Sequence, residues 1–587
     1  MAKHILERGE HPVFYYGSAY GGSVEPHYVA AVFALLGSTL AAYRVAMGGL
    51  VVLTITGVYA IARLAFGRSE AILAAAYLAV PPFFFLYKGL TSDGHYNAFN
   101  LFVVVTMITS LAIDRTLEIG RERWPLFALL GFAAGVGWWI NPITPPISAA
   151  AVAWLFLKKR PRPRVRNALQ LVAGFVLGSA PWLIWNIRHG WVSLTSPELA
   201  SVNGSGALHN LGEIVRDSLP LLAGGSRFRT TGSRDTFPFS RLAVGAALIV
   251  LFAPCLWRAV RGDRVLRLFV LAFGALVLTV IWSGRYVPTE PRLLFPFYVL
   301  APPVIAAGFV RLGSKRPAAL LAAACGAILA VGHGSSLLVE HRHLGNTATE
   351  VTGPLDELLG TLTTRGVRHV YTDYWTAYRL AFESDERIVA TPIPGDEAVR
   401  YSPYLWEVAR DPSTAIVVRA PRAECLEAFL EATGTPHRRV VSSPFTVFLD
   451  LPSTVLEFVR TKEALPLPDE AFRVAWTVGP QPREIPRGST GSGAVSFRNE
   501  SPCAWPHAVH LGYHWSPRDP GLPYIRDGGR QVPHQSIAPG ETVSLSVPLN
   551  APAVAGRYDL EYDLVFENVA WFTSRGSRPA KVPVTIR

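Results

Sequence analysis

The chain has 587 residues, half of them hydrophobic and only 17% charged, with a formal net charge of +12. That length exceeds one ordinary domain, and the low charge with a mean hydropathy of +0.27 excludes a typical soluble protein. The positive balance does not mark a nucleic-acid partner, because much of the Arg and Lys lies in short loops between apolar runs, as the positive-inside rule requires of a membrane protein.

Residues 1–28 include Lys3, His4, Glu7, Arg8, Glu10 and His11 and no apolar h-region, so Met1 does not open a signal peptide. Apolar runs long enough for a ~30 Å hydrocarbon core then predict about ten spans, near 41–65, 70–88, 97–114, 124–140, 143–157, 167–186, 240–258, 266–282, 292–310 and 316–338. Alternate loops are basic: Arg63 and Arg68; Arg115, Arg121 and Arg123; Lys158 to Arg166; Arg258 to Arg267; Arg311 to Arg316. Those loops are assigned to the cytoplasm. The N-terminal segment, the polar 187–239 loop and everything after 339 are then extracytoplasmic. The lysine and arginine run at 158–166 serves as a topology determinant, and glycine pairs in the spans serve helix packing.

After the spans, Leu355–Thr364 and Glu424–Thr433 read as helices, and Val367–Thr372, Ala415–Arg419 and Thr446–Leu451 as strands. The pattern predicts a small α/β domain over 345–462. Leu465-Pro466-Leu467-Pro468 reads as a linker. Beyond it, Gly493–Arg498, Ala508–His514, Thr542–Leu549 and Arg557–Phe566 alternate between Pro and Gly turns, which predicts a β-sandwich over 470–587. Trp505, Trp515 and Trp571 are read there as core residues, with stacking on sugar rings as the alternative. Of the four cysteines, Cys255 and Cys325 fall in apolar runs and no CxxC occurs. No zinc site or disulfide framework is expected, and a Cys425–Cys503 bridge is not expected either.

The first 44 residues carry the most specific signal: Pro12-Val13-Phe14-Tyr15-Tyr16-Gly17, then Ala19-Tyr20-Gly21-Gly22-Ser23-Val24-Glu25-Pro26, then Leu35-Leu36-Gly37-Ser38 and Arg44. This resembles the first extracytoplasmic loop of the GT-C superfamily of membrane glycosyltransferases, in the RgtA/B/C/D-like branch. The resemblance covers residues 1–340 and is weak beyond residue 44. It starts in mid-motif, so a first helix and an Asp-Glu pair are expected upstream of Met1. The terminal sandwich resembles Ig-like or fibronectin-like modules appended to bacterial surface-glycan enzymes. The fold implied is a polytopic α-helical membrane protein of GT-C type, followed by a small α/β extracytoplasmic domain and a C-terminal β-sandwich.

By that resemblance the protein sits in a bacterial cytoplasmic (inner) membrane among membrane lipids. It takes a sugar from a polyprenyl-phosphate donor and passes it to an extracytoplasmic glycan, lipid or protein acceptor. A catalytically inactive scaffold, or a glycan-binding or transport component of a cell-envelope polysaccharide system, is the alternative. The chemistry needs a carboxylate to take the acceptor's proton and positive charge or a metal at the departing phosphate. Glu25, Asp93 and His95, all on the neutral-loop side, are the candidates for catalysis. Glu25 also reads as a helix-terminal acid favoured by the dipole, and Asp93 as an N-cap. Asp93 and His95 are spaced to bind a divalent metal or shuttle a proton, and no cofactor is otherwise implied. Arg285, Tyr286, Glu290 and Arg292, in Gly284-Arg285-Tyr286-Val287-Pro288-Thr289-Glu290-Pro291-Arg292, are expected to capture phosphate; snorkelling to headgroups is the other reading. Tyr15, Tyr16, Tyr20, Trp138 and Trp139 serve either as sugar-stacking platforms or as an interfacial aromatic belt.

Overall fold

The computed structural model describes all residues except 92–93, 122, 142, 158–163, 196–205, 227–237, 283–290, 315, 352–354, 396–397 and 534–535. The chain divides into two units, Met1–Asn346 and Thr347–Arg587.

The first unit is helical. A short α1 (Ala2–Arg8) stops at Gly9, whose φ of 66° a side chain would strain. A loop then leads to α2 (Val24–Leu36) and α3 (Leu40–Ala65), where Thr39 accepts the Ala42 N–H at 3.1 Å and caps the helix. Then come α4 (Arg68–Ala79), α5 (Phe83–Leu90), α6 (Tyr96–Glu118), α7 (Trp124–Ile140), α8 (Thr144–Phe156), α9 (Val165–Gly178) and α10 (Ala180–Arg188). Short α11 (Val192–Thr195), α12 (Ala207–Glu213) and α13 (Leu219–Leu222) precede α14 (Pro238–Val260), α15 (Arg264–Trp282), α16 (Phe297–Gly313) and α17 (Arg316–Val351).

Each of the ten expected spans falls on helix, but not every one of these helices is long and apolar enough by itself to cross a membrane. Among the described residues five helices suffice, or seven if the bent pairs α4–α5 (72°) and α9–α10 (60°) each count as one span. Pro81-Pro82 and Pro181 lie at the two bends, where a missing N–H and a ring clash stop the helical ladder. α7, α8 and α16 have 17, 13 and 17 residues. At ~1.5 Å per residue, α8 reaches only about 20 Å.

Several of the helix ends meet one another. Arg264, opening α15, pairs with Asp114 near the end of α6 at 2.9 Å. Its carbonyl accepts the indole N–H of Trp154, near the end of α8, at 2.8 Å, and Arg115 donates to the Leu64 carbonyl at the end of α3. The glycine pairs do serve packing. α7 and α9 touch backbone to backbone, and a Cβ on Gly131 or Gly174 would lie 1.9 Å from the Leu171 carbonyl oxygen or 2.1 Å from that of Ala128.

The second unit begins with α18 (Asp356–Thr364) and alternates β1 (His369–Thr372), α19 (Tyr374–Glu383), β2 (Val389–Pro392), α20 (Ser402–Arg410), β3 (Ala415–Arg419), α21 (Arg422–Ala432), β4 (Arg438–Ser442), β5 (Phe445–Leu449) and α22 (Ser453–Lys462). The sheet order is β2-β1-β3-β5-β4, parallel at β2-β1-β3 and antiparallel beyond. Alternate strand residues face opposite ways: Tyr371, Ile416 and Phe448 pack with α20, α21 and α22, while Val370, Val417 and Val447 pack with α18.

Then follow β6 (Val474–Val478), β7 (Glu484–Ile485), β8 (Thr490–Asn499), β9 (Val509–Pro517), β10 (Ile525–Gln531), β11 (Thr542–Asn550), β12 (Gly556–Phe566), β13 (Ala570–Trp571) and β14 (Ala580–Ile586). They form a six-stranded sheet, β10-β9-β12-β14-β7 with β13 on β12, and a three-stranded sheet, β11-β8-β6. One core joins both sheets: Val495, Phe497, Val547 and Leu549 meet Leu511, Tyr513, Trp515 and Tyr562. Trp505 and Trp515 are 0% exposed, as expected of core residues, but Trp571 is only half-buried and lies outside this core against His514.

Two expectations fail here. Cys425 on α21 and Cys503 after β8 form a disulfide, with Cα atoms 5.8 Å apart. Their 78-residue separation hides this proximity from the sequence. The stretch at 465–468 is not a free linker, since Leu465 is 7% exposed and Leu467 packs against the core of the two sheets.

Candidate functional site

The loop between α1 and α2 folds back on itself: Phe14 and Gly22 form an antiparallel bridge, Tyr15 N–H reaches the Gly21 carbonyl at 3.0 Å and Ser23 N–H reaches Val13 at 3.1 Å. The end of α7 anchors it. Trp139 donates its indole N–H to the Val13 carbonyl at 2.8 Å, and Gly22 N–H bonds to the Ile140 carbonyl at 3.2 Å. Only glycine fits at Gly22, because a Cβ would lie 2.8 Å from the Trp139 carbonyl oxygen.

This docking brings distant residues together. Glu25, in the first turn of α2, is 4% exposed, and its carboxylate accepts the backbone N–H of Ala98 at 3.3 Å. It therefore sits at the N-terminus of α6, where free N–H groups and the helix dipole favour an anion. The dipole reading made for its own helix applies to a neighbouring one. α2 is too short to span a membrane. Burial raises the Glu25 carboxyl to about 8, against the opposing backbone bonds from Ala98 and Asn97.

His95 stands at the same helix start, 8% exposed. Its ring lies 5.9 Å from that of Tyr15 and stacks at 5.6 Å on Tyr96, and a Cβ on Gly21 would come within 3.2 Å of Nδ1. Asn141 places its amide nitrogen 2.6 Å from His95 Nε2. The amide orientation is fixed because Asn141 Oδ1 accepts the Ile143 N–H at 2.9 Å. Nε2 is thus an acceptor and the proton resides on Nδ1. Burial, and secondarily the charge of Arg292, lower the imidazole to about 4, so His95 is neutral at physiological pH.

Glu25, His95, Tyr15 and Trp139 are therefore brought together around the docked loop and the start of α6, and Arg292, in the turn Arg292–Leu294, is near enough to act on His95. Tyr20 shares the loop, its N–H held by Ser18 Oγ at 3.4 Å. Tyr16 does not join the His95 contacts: its hydroxyl bonds to Glu10 and to His4 Nδ1, the latter at 3.2 Å. Trp138 faces another way, edge-on to Trp182 at 5.4 Å and Phe175 at 6.4 Å. Adjacent helical residues point about 100° apart, so the pair cannot both face the loop. Asp93, Arg285, Tyr286 and Glu290 lie outside the described residues. Among the described residues no three His, Cys, Asp or Glu side chains gather as a metal site.

Two functional candidates escaped the sequence reading. Asn141, just past the end of α7, belongs to no sequence motif that points to chemistry. Lys88, on α5, is 3% exposed and lies 5.7 Å and 5.9 Å from the ring centres of Tyr87 and Tyr96. A lysine within an apolar run is itself the signal that could have found it.

The comparisons bear on this same stretch. No curated protein sequence matches the chain. The fold is shared with ArnT from Cupriavidus metallidurans bound to undecaprenyl phosphate, at a TM-score of 0.53 and 11% identity over 76% of this chain and 91% of that one. The apo state of the same protein gives 0.53 and 11% over 77% and 92%. The archaeal oligosaccharyltransferase AglB from Archaeoglobus fulgidus, in complex with an inhibitory peptide and a dolichol-phosphate, is a looser likeness, at 0.39 and 12% over 99% and 92%. Residues 24–185, the segment that carries Glu25, Lys88, His95, Trp139 and Asn141, match the model of the dolichyl-phosphate-mannose-protein mannosyltransferase family.

Proposed function

We propose that the chain is a GT-C glycosyltransferase that uses a polyprenyl-phosphate-linked sugar and serves an extracytoplasmic acceptor. One observation carries the reading: the buried cluster of Glu25, Lys88, His95 and Asn141 falls within the segment that matches a lipid-phosphate-sugar transferase family. The shared fold with a protein that holds undecaprenyl phosphate supports it.

In the reaction, the bond from the anomeric carbon to the phosphate oxygen breaks, and its electron pair leaves with the polyprenyl phosphate. The acceptor oxygen or nitrogen bonds to that carbon and gives up a proton. Glu25, once ionised, takes it. Lys88 and Arg292 offset the charge gathering on the phosphate. His95 is neutral, so it orients rather than neutralises, with Asn141 holding its tautomer. Asp93, two residues before His95, supplies a second carboxylate.

The finer placements belong to the same proposal. The loop from Pro12 to Glu25 favours the RgtA/B/C/D-like branch, and the two packed sheets favour an Ig-like C-terminal module. The disulfide favours an oxidising, extracytoplasmic side for the second unit. The test is turnover. Reconstituted in lipid with polyprenyl-phosphate sugars and envelope acceptor fractions, the protein should release polyprenyl phosphate and label an acceptor. Donor binding without release across the panel would leave the scaffold reading in its place.

A further inference from the structure

The outer face of a sandwich sheet is normally solvated. The middle of that face on the six-stranded sheet is not. On β9 and β12, the residues facing away from the core include His514, Glu561 and Asp563, which are only 5%, 9% and 1% exposed. His514 pairs with Glu561 across the strands. Ionic and polar groups so buried are costly unless held in place, and these are held. Asp527 N–H reaches His514 Nδ1 at 3.0 Å, Lys581 Nζ reaches Glu561 Oε1 at 2.6 Å, and Thr573 Oγ1 donates to Asp563 Oδ2 at 2.5 Å.

What covers this face is the segment after β12. Trp571 lies with its ring centre 4.3 Å from that of His514, and the Arg530 guanidinium sits 4.5 Å from the centre of the same indole. Gly512 makes this approach available: a Cβ there would lie 2.7 Å from the indole. Between this cover and the sheet runs a groove of about 550 Å³ lined by, among others, His514, Tyr524, Arg526, Glu561, Trp571 and Lys581. That volume lies in the range of small-molecule sites.

We propose that this groove binds an anionic saccharide, one bearing carboxylates in the manner of a uronic acid. Trp571 and Tyr524 offer ring faces for the C–H face of a pyranose. Glu561 and the hydroxyls of Thr573, Ser574 and Ser577, all on the groove wall, accept from sugar hydroxyls. The cationic groups on the wall, Arg526, Arg578 and Lys581, outnumber the single carboxylate of Glu561, so the wall favours an acidic ring over a neutral one. The site belongs to the second unit alone and does not depend on transfer chemistry in the first.

The test measures binding directly, with no turnover, on the full chain in detergent micelles. The probes are a glucuronate-containing oligosaccharide and its glucose counterpart, followed by saturation-transfer NMR and by tryptophan fluorescence. The acidic oligosaccharide should bind at least about tenfold more tightly, and more weakly in high salt. Trp571→Ala should lower its affinity by about tenfold or more. Arg526→Glu alters an exposed side chain, leaves the fold intact and should remove the preference for the acidic probe. Equal affinity for both probes in the parent, no binding of either, or unchanged binding in Arg526→Glu would each overturn the proposal.

Discussion

The loop-and-rim cluster and the sandwich groove both bury polar groups, but they assemble them differently. In the first unit every contributor comes from a different element: Glu25 from α2, Lys88 from α5, His95 from the start of α6, Asn141 from the end of α7. In the groove, His514 and Glu561 are partners on adjacent strands and Glu561 and Asp563 are two residues apart on one. A site made by tertiary packing fails as a whole when one element shifts, whereas a site made by strand register should lose its contributors one at a time.

The largest effect should come from the packed cluster. Glu25→Gln keeps an oxygen for the Ala98 N–H and removes the base, so turnover should fall by ~10²–10⁴. Lys88→Met keeps the packing volume and removes the cation, with a loss of ~10²–10³. In the parent protein, the proposed turnover should climb as pH rises toward about 8, the value to which burial raises Glu25, because only the ionised carboxylate accepts a proton. Full turnover in Glu25→Gln with an unchanged pH profile would make Glu25 a helix cap and nothing more.

The two regions also differed in how readable they were. A short apolar run located β3 at Ala415–Arg419 without error, and polar–apolar alternation located β12 to within one residue, because both patterns are written directly in the side chains. The helices were equally visible, but hydropathy does not show where a ladder breaks, so the bends at Pro81-Pro82 and Pro181 were read through as continuous spans. Glu25 and His95 were legible as acid and imidazole in short polar segments. Their meeting, and the orientation of Trp139 without Trp138, depended on the docking of a loop against α7, which no local pattern encodes. The Cys425–Cys503 bridge was missed for the same reason: a pairing across 78 residues leaves no spacing signature.

That bridge offers the next test of how each region holds together. Closing a loop of 78 residues should stabilise the second unit by about 4 kcal/mol in the chain-entropy account. Reduction, or the double substitution Cys425→Ala and Cys503→Ala, should lower its urea midpoint, followed by the fluorescence of its buried tryptophans. The helical unit, whose Cys255 and Cys325 are free, should unfold as before. An unchanged midpoint after confirmed reduction would mean that the shared core alone joins the α/β and sandwich portions.

The smallest expected effect probes the groove from below. Burial raises the Asp563 carboxyl from 3.8 to about 6, opposed by its bonds from Thr573. In the unfolded chain the same group gives up its proton near 3.8, so between pH 4 and 6 the unfolded state is deprotonated while the folded state still holds the proton. Folding stability must therefore fall as pH rises through that window, by no more than about 3 kcal/mol once both states are ionised. Asp563→Asn cannot ionise, and its amide oxygen can still accept the Thr573 hydroxyl. Compared with the parent, the variant should be nearly equal in stability at pH 4 and gain up to that amount by pH 7. Parallel stability curves for the two proteins across pH 4 to 7 would show that Asp563 ionises in the folded state as freely as in the unfolded one, and that its burial beneath the groove costs nothing.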